Sequence, residues 1–446
     1  MPEVLPITRH KVFLIAWPII LSNLSTPLLG LVDTAVIGNL GDPALIGAIA
    51  IGGMIFSFLY WGFGFLRMGT TGLVAQARGA GDMEEVKASL YRPFLAGLVI
   101  GVLLYLLQLP LVALAFELID GSTAVESAAQ SYFGIRILGA PISLAHLAIV
   151  GYLVGQQMTR TLLGIQLLLN GTNILLDFIF VLGLGWGVAG VAAATVIAEL
   201  FAISVGTWVV IRNIRSNGAS MRIPFTRLMD ISALKRMLIV NRDIMIRTLC
   251  LIFAFAFFTN QGASKGDIIL AANAILMQFV SFSAFFLDGY ALAAETLVGQ
   301  AVGARNRNAL RQSIRYATGL ALTTSVGLSL VFALTGIPVI NLLTNVIAVR
   351  EAAVVFLPWA VAAPVVSIWC YLLDGIFIGA TRSIEMRNAM IASLVLFLAA
   401  WYLLSGLGNH GLWAALMVYF IARAVCLYWY FPALVRSLDQ DPVKTP

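Results

Sequence analysis

The sequence predicts an all-α integral membrane protein, with twelve transmembrane helices in two homologous six-helix lobes related by pseudo-two-fold symmetry along the membrane normal. Three observations carry this: the composition, the placement of the basic residues and an internal repeat. Of 446 residues, 60% are hydrophobic and 11% charged, against roughly 25% charged in a soluble domain. The apolar residues form long runs, not stripes. From Val12 to Gly38 the only fully charged side chain is Asp33. Helices apolar on every side belong in lipid or in a very large core. So little charge leaves too little polar surface to enclose such a core.

Spans of roughly 20 residues or more fall near 12–37, 47–71, 90–116, 129–154, 161–183, 187–211, 237–260, 268–295, 312–335, 351–379, 388–406 and 411–434. The segment 336–350 reads as a short apolar hairpin or surface helix, and 183–187 as a very tight turn. Met1 to Lys11 is short and lightly basic, and the apolar run after it is too long for the core of a signal peptide. It is read as a retained first span.

The net charge is +6. The basic residues form no single patch, so the charge does not point to nucleic acid. Numbering the spans places 22 of the 27 Lys and Arg on one side, among them Arg9, Lys11, Arg78, Arg160, Arg212, Arg215, Arg242, Arg247, Arg305, Arg387, Arg436 and Lys444. The other side receives Lys265 and Arg350, and Arg67, Arg136 and Arg423 lie within spans. That bias is a positive-inside signal. It puts both termini and the long 212–236 connection in the cytoplasm.

Cys250, Cys370 and Cys426 lie in apolar segments and read as small core residues. His10, His146 and His410 are scattered. His146, near Pro141, reads as a hydrogen-bonded packing residue ahead of a ligand. The sequence holds no Cys/His cluster and no catalytic motif, so neither a metal, a cofactor nor enzymatic chemistry is expected.

The repeat spans the two halves. Gly72-Leu-Val-Ala-Gln-Ala-Arg-Gly-Ala80 matches Thr296-Leu-Val-Gly-Gln-Ala-Val-Gly-Ala304, an offset of 224 residues. Gly151-Tyr-Leu-Val-Gly155 matches Gly375-Ile-Phe-Ile-Gly379 at the same offset, Gly183-Leu-Gly185 matches Gly406-Leu-Gly408 at 223, and Gly41-Asp42 matches Gly266-Asp267 at 225. The expected lobes are 1–211 and 237–446, joined by a cytoplasmic linker, 212–236. Two similar bundles enclose a cleft, and rocking one against the other opens it to either side in turn. This favours a transporter over a channel, an intramembrane enzyme, or a receptor or scaffold.

The segments Pro27-Leu-Leu-Gly-Leu-Val-Asp-Thr-Ala-Val-Ile-Gly38, Arg67-Met-Gly-Thr-Thr-Gly-Leu-Val-Ala-Gln-Ala77, Asn241-Arg-Asp-Ile-Met245 and Asp374-Gly-Ile-Phe-Ile-Gly-Ala-Thr-Arg382 resemble the multidrug and toxic compound extrusion (MATE) transporters, and more closely their bacterial DNA-damage-inducible (DinF) branch. The resemblance covers essentially the whole chain. It implies a multi-pass protein of the bacterial inner membrane that exports small amphipathic, often cationic or aromatic compounds, driven by protons or sodium ions. The expected state is a monomer in membrane lipid, with no nucleic-acid partner. The alternative, within the broader superfamily, is a flippase for a lipid-linked precursor. Few Arg or Lys fall inside the spans, which argues against that reading.

A charge inside a bilayer is costly unless paired or solvated, so each one is a functional candidate. Asp33 and Asp177 lie near the outer ends of spans 1 and 5, at matching depth. Asn173 and Asn170 share a helix face with Asp177. At the repeat offset, Asp33 corresponds to Phe258 and Asp177 to Ala400, so the fold does not require the two acids. In the family, an aspartate on the first helix, an Asn/Asp pair on the fifth and a threonine on the sixth form a cation site, and Asp33, Asn173, Asp177 and Thr195 match those positions. The alternative is a buried network that only holds the lobe together. Two neighbouring carboxylates in low dielectric cannot both carry charge cheaply, so the coupling ion is expected to be H+, with Na+ the alternative. Pro27, six residues before Asp33, permits either a hinge or a static kink.

Glu199 lies deep in span 6, as either a functional group or a helix–helix tie. Asp288, Glu295 and Asp374 lie toward the cytoplasmic ends of their spans as secondary or gating acids. Asp374 stands where some relatives carry a sodium-site acid, with pairing to Arg67 or Arg382 as the structural alternative. Met54, Phe56, Phe58, Tyr60, Trp61, Met277, Phe279, Phe282 and Phe285 are expected to line a substrate cavity.

Overall fold

The computed structural model describes residues 7–40, 42–118, 122–216, 218 and 220–438. Gly41 and Lys444 lie outside the described residues. The chain is helical throughout them: α1 (Arg9–Gly38), α2 (Pro43–Gly62), α3 (Phe65–Ala80), α4 (Met83–Leu106), α5 (Gln108–Leu118), α6 (Thr123–Arg136), α7 (Ala140–Gly155), α8 (Thr159–Asp177), α9 (Gly187–Ser216), α10 (Phe225–Leu228), α11 (Ile231–Ala263), α12 (Asp267–Gly303), α13 (Arg307–Leu343), α14 (Ile347–Gly379), α15 (Ser383–Leu404) and α16 (Gly408–Arg436).

Ten helical segments among the described residues are long and apolar enough to cross a membrane. One of them, Ser383–Arg436, has 54 residues, more than twice the roughly 20 that a crossing needs. A short 3₁₀ turn at Ser405–Leu407, followed by Gly408 at φ 62°, divides it into α15 and α16. The twelfth crossing is α11, whose first half carries Lys235, Arg236, Arg242, Asp243 and Arg247 and so does not read as apolar. Several crossings are broken where the sequence suggested one helix. The second bends at Phe63–Gly64 between α2 and α3, the third at Leu107, and the fourth at a 3₁₀ turn, Ile137–Gly139.

The segment 336–350 is neither a hairpin nor a separate surface helix. α13 runs through Pro338 to Leu343, and α14 begins at Ile347. Pro338 removes one intrahelical donor without stopping the helix. Arg350 reaches back to cap the end of α13, donating to Thr344 O at 2.6 Å and Asn341 O at 2.8 Å. One of the two exceptions to the basic bias thus satisfies helix-terminal carbonyls that would otherwise lack donors.

The repeat has a physical cause. A side chain at Gly151 or Gly155 on α7 would collide with the carbonyls of Arg67 and Thr71, and one at Gly375 or Gly379 on α14 with those of Ala291 and Glu295. Shifting each first-half contact by 224 residues lands on the second-half contact. The left-handed positions repeat too: Gln157 (φ 59°) with Thr381 (φ 53°), and Gly81 (φ 74°) with Arg305 (φ 51°). The motif around Gln76 also meets its own copy, since Gly79 packs on the Gln300 carbonyl and Gly303 on that of Gln76. These glycines are dictated by close helix approach.

By packing, the chain forms two compact units. One comprises Leu21–Val74 and Asp82–Met237; the other comprises Leu238–Pro446 with Met1–Ile20 and Ala75–Gly81. In the first unit, the connection after α9 is tied to α4. Lys87 Nζ donates to Ser220 O (2.9 Å) and Arg222 O (3.1 Å), Arg92 donates to Arg227 O (2.7 Å) and Leu228 O (3.1 Å), and Arg227 pairs with Asp82 (2.5 Å). The second unit is built on a large aromatic core in which Phe258 meets Trp413 edge-on at 5.2 Å.

Candidate functional site

α1 and α8 bring Asp33 and Asp177 together within the first unit. Their carboxyl groups are near enough to interact directly. Asp177 and Asn173 are fully buried and Thr195 nearly so. With its nitrogen toward the carboxyl, the Asn173 amide donates to Asp177 Oδ2 at 3.0 Å and accepts from the Thr195 hydroxyl at 3.2 Å. The four residues singled out in the sequence therefore form one continuous polar chain. Two carboxyls, an amide oxygen and a hydroxyl could hold either a proton or a small hard cation. Asp177 is also the last α-helical residue of α8. The helix widens into a π-turn at Phe178–Gly183 immediately after it, a distortion frequent at functional positions.

Pro27 lies in the uninterrupted helix α1, between two ties to α8. Six residues after it is the Asp33–Asp177 contact. Two residues before it, the Ser25 carbonyl accepts from Asn170 Nδ2 at 3.1 Å, and the Asn170 amide oxygen accepts from Gln166 at 3.0 Å. Asn170, Asn173 and Asp177 line one face of α8 as their spacing required.

Glu199 is a tie between helices. It accepts from Arg136 Nη2 at 2.6 Å and Nη1 at 3.0 Å, and from the Ser143 hydroxyl. The Arg136 guanidinium lies over the rings of Phe56 (5.3 Å) and Tyr60 (5.4 Å) and acts electrostatically on Asp33. Sequence reasoning counted Arg136 among the basic residues within spans without giving it a role. The signal was present, because an arginine in a span needs a partner. His146 is half-buried beside this pair, and its Nδ1 has no hydrogen-bond partner among the described residues, so the hydrogen-bonded packing role expected for it is not seen at that atom.

The second unit handles its acids differently. Among the described residues, Asp374 pairs with neither Arg67 nor Arg382. Its Oδ2 accepts from both Arg247 and Arg423, the latter at 2.6 Å, and all three side chains are buried. Arg382 instead pairs with Glu385 at 3.0 Å. Arg247, counted with the cytoplasmic residues, is a buried partner because it shares the inward face of α11 with Asp243, while Lys235, Arg236 and Arg242 on the same helix stay exposed. A second polar knot encloses Asp243, which accepts from Ser383 (3.1 Å) and Arg387 (2.8 Å). Asp288 is an electrostatic neighbour of Cys370 and Tyr371, and Glu295 is buried on α12. Two expected cavity residues are core instead: Phe56 packs on Phe133 at 5.0 Å and Phe279 on Phe332 at 5.1 Å. Met54, Phe58, Trp61 and Phe282 are exposed.

The sequence matches the MatE family twice, over residues 18–179 and 244–403, once in each half. It is 42% identical over 413 residues to the DNA damage-inducible protein F of Escherichia coli, spanning 93% of this chain and 90% of the relative. It is 25% identical to the "Probable multidrug resistance protein NorM" of Rhodopseudomonas palustris over 95% of this chain and 91% of that protein. Among solved structures, a MOP superfamily transporter from Pyrococcus furiosus superposes with a TM-score of 0.86 at 19% identity, covering 97% of each chain.

Proposed function

This chain belongs to the MatE family of multidrug efflux transporters, and from that premise we propose that it exports small amphipathic, often cationic or aromatic compounds across the bacterial inner membrane in exchange for protons. The observation that carries the ion assignment is the Asp33–Asp177 contact. Two carboxyl oxygens hydrogen-bond to each other only when one of them holds a proton. In this reading the pair stores one shared proton. Losing it places two like charges side by side in low dielectric, which drives them apart. Of the two ties that flank Pro27, the Ser25–Asn170 tie is indifferent to protonation and the Asp33–Asp177 tie is not. Proton gain and loss thus act on the outer part of α1 while its inner part stays held. Both termini and the 212–236 linker face the cytoplasm in this reading, the lobes are 1–211 and 237–446, and a monomer is the working unit.

Of the arginines inside the spans, Arg67 shows no carboxylate partner among the described residues, but Arg136 is presented to Glu199 and Arg247 with Arg423 to Asp374. This leaves those groups poorly suited to bind the phosphates of a lipid-linked precursor and supports export over flipping. The test is transport in proteoliposomes with each gradient imposed separately. Export that follows an inward proton gradient and collapses with a protonophore supports the assignment. Robust sodium-driven export that survives the protonophore overturns it and assigns the same four residues to sodium.

A further inference from the structure

α9 carries an outward stripe unlike the rest of its surface. Ile197, Leu200, Phe201, Ser204 and Trp208 recur at helical spacing and all are exposed. Ser204 does not interrupt the stripe, because its hydroxyl is satisfied by Leu200 O at 2.7 Å. From Ile197 to Trp208 the helix rises roughly 16 Å. That is about half of the ~30 Å hydrocarbon core, the depth of one leaflet. At the end of the stripe lies an open pocket of about 420 Å³ lined by Trp208, Ile211, Arg212, Arg215 and Ser216.

The pocket is basic and shaped. The Arg212 guanidinium lies over the Trp208 ring at 5.5 Å. Neither Arg212 nor Arg215 has an ion-pair partner among the described residues, whereas Arg92 and Arg227 on neighbouring segments are paired with Glu85 and Asp82. Topology alone asks only for positive charge on this side. It does not ask for an arginine over a tryptophan ring in an open surface pocket, directly continuous with an apolar lane one leaflet deep.

We propose that this pocket binds the phosphodiester headgroup of an anionic phospholipid of the cytoplasmic leaflet, with an acyl chain lying along the Ile197–Trp208 stripe. Arg212 and Arg215 supply charge and donors to the phosphate, Trp208 sits at the headgroup boundary where its amphipathic ring is favoured, and the anionic cytoplasmic leaflet supplies the ligand. The occupied pocket braces the last turns of α9, where the helix passes into the linker.

Binding is tested on the full chain in detergent by native mass spectrometry with phosphatidylglycerol, phosphatidylethanolamine and inorganic phosphate. The wild type should retain phosphatidylglycerol on the order of tenfold more strongly than phosphatidylethanolamine, the weight of two arginines on an anionic headgroup. Arg212→Gln/Arg215→Gln should lose that preference, with its lipid-free melting temperature unchanged. Arg212→Lys/Arg215→Lys should keep part of it. Equal retention of phosphatidylglycerol by the Gln variant overturns the site. So does equal retention of both lipids by the wild type. Displacement of the lipid by inorganic phosphate at comparable concentration makes this a free-phosphate site and overturns the lipid assignment. Binding in detergent does not depend on membrane orientation or on the coupling ion, so a failure here is separable from a failure of the transport reading.

Discussion

Glu199→Gln separates a structural tie from a coupling group. The wild-type carboxylate accepts two charge-assisted bonds from Arg136 and one bond from Ser143. Glutamine keeps one acceptor oxygen and turns the other position into a donor that faces donors. The pair is 8% and 14% exposed, so water screens it little. Charge-assisted bonds are worth about 1.5–3 kcal/mol each, and orphaning one member of a buried pair costs about 3–5 kcal/mol. Glu199→Gln should therefore lower stability by that amount, with the Phe56 and Tyr60 rings offsetting a little of it. Arg136→Met/Glu199→Leu removes both charges and should recover most of the loss. The measurement is thermal melting of the purified protein, paired with transport in proteoliposomes. An unchanged melting temperature in Glu199→Gln with export abolished would refute the structural account and make Glu199 a coupling residue. A double variant as unstable as the single one would show that the cost does not come from an orphaned charge.

Three further outcomes are expected. Asp33→Asn should reduce export to background while the melting temperature stays near wild type, because the shape is kept and only the titratable charge is lost; wild-type transport rates would remove Asp33 from the coupling site. Pro27→Ala should slow turnover with less effect on substrate binding measured by fluorescence titration, and an equal loss of binding would indicate a static structural role. A cysteine at Gly218 should resist a membrane-impermeant reagent applied from outside while one at Ser122 reacts, and the reverse pattern would invert the topology.

What was legible in the sequence is what local chemistry dictates. Runs of apolar residues mark crossings because every backbone group in lipid must be satisfied within a helix. Asn170, Asn173 and Asp177 could be assigned to one face because helical spacing is fixed. Asp33 and Asp177 could be paired because both are isolated charges at the same depth. The partners of Asp374 and Glu199 were not legible. Arg136 lies 63 residues before Glu199 and Arg247 lies 127 before Asp374, and no periodicity says which helices will be neighbours. The segment 336–350 was misread, although Gly336 and Pro338 lie within the continuous helix α13. Gly336 admits Leu357 of α14, and the packed helix carries on past the proline.

The repeat distinguishes what the fold requires from what one half does alone. The glycine contacts at 151, 155, 375 and 379 and the left-handed residues at 157 and 381 recur because both halves need the same close helix approach. The charges do not recur. Where the first half places Asp33, the second places Phe258, 1% exposed and packed on Trp413. Where the first half places Glu199, an offset of 224 residues reaches Arg423, which serves Asp374. Both halves thus bury an ion pair on their last crossing, with the sign of that helix's charge reversed. A buried pair that held each lobe together and nothing more could have kept one polarity through duplication. The reversal places the titratable carboxyl pair in the half whose last helix is acidic, with Arg136 available to it. In the other half two guanidiniums hold Asp374. A carboxylate held by two guanidiniums is a poor proton carrier, because protonating it would orphan both arginines in low dielectric. Under the proposed proton coupling, the second half would remain rigidly paired while the first half takes up and loses the proton.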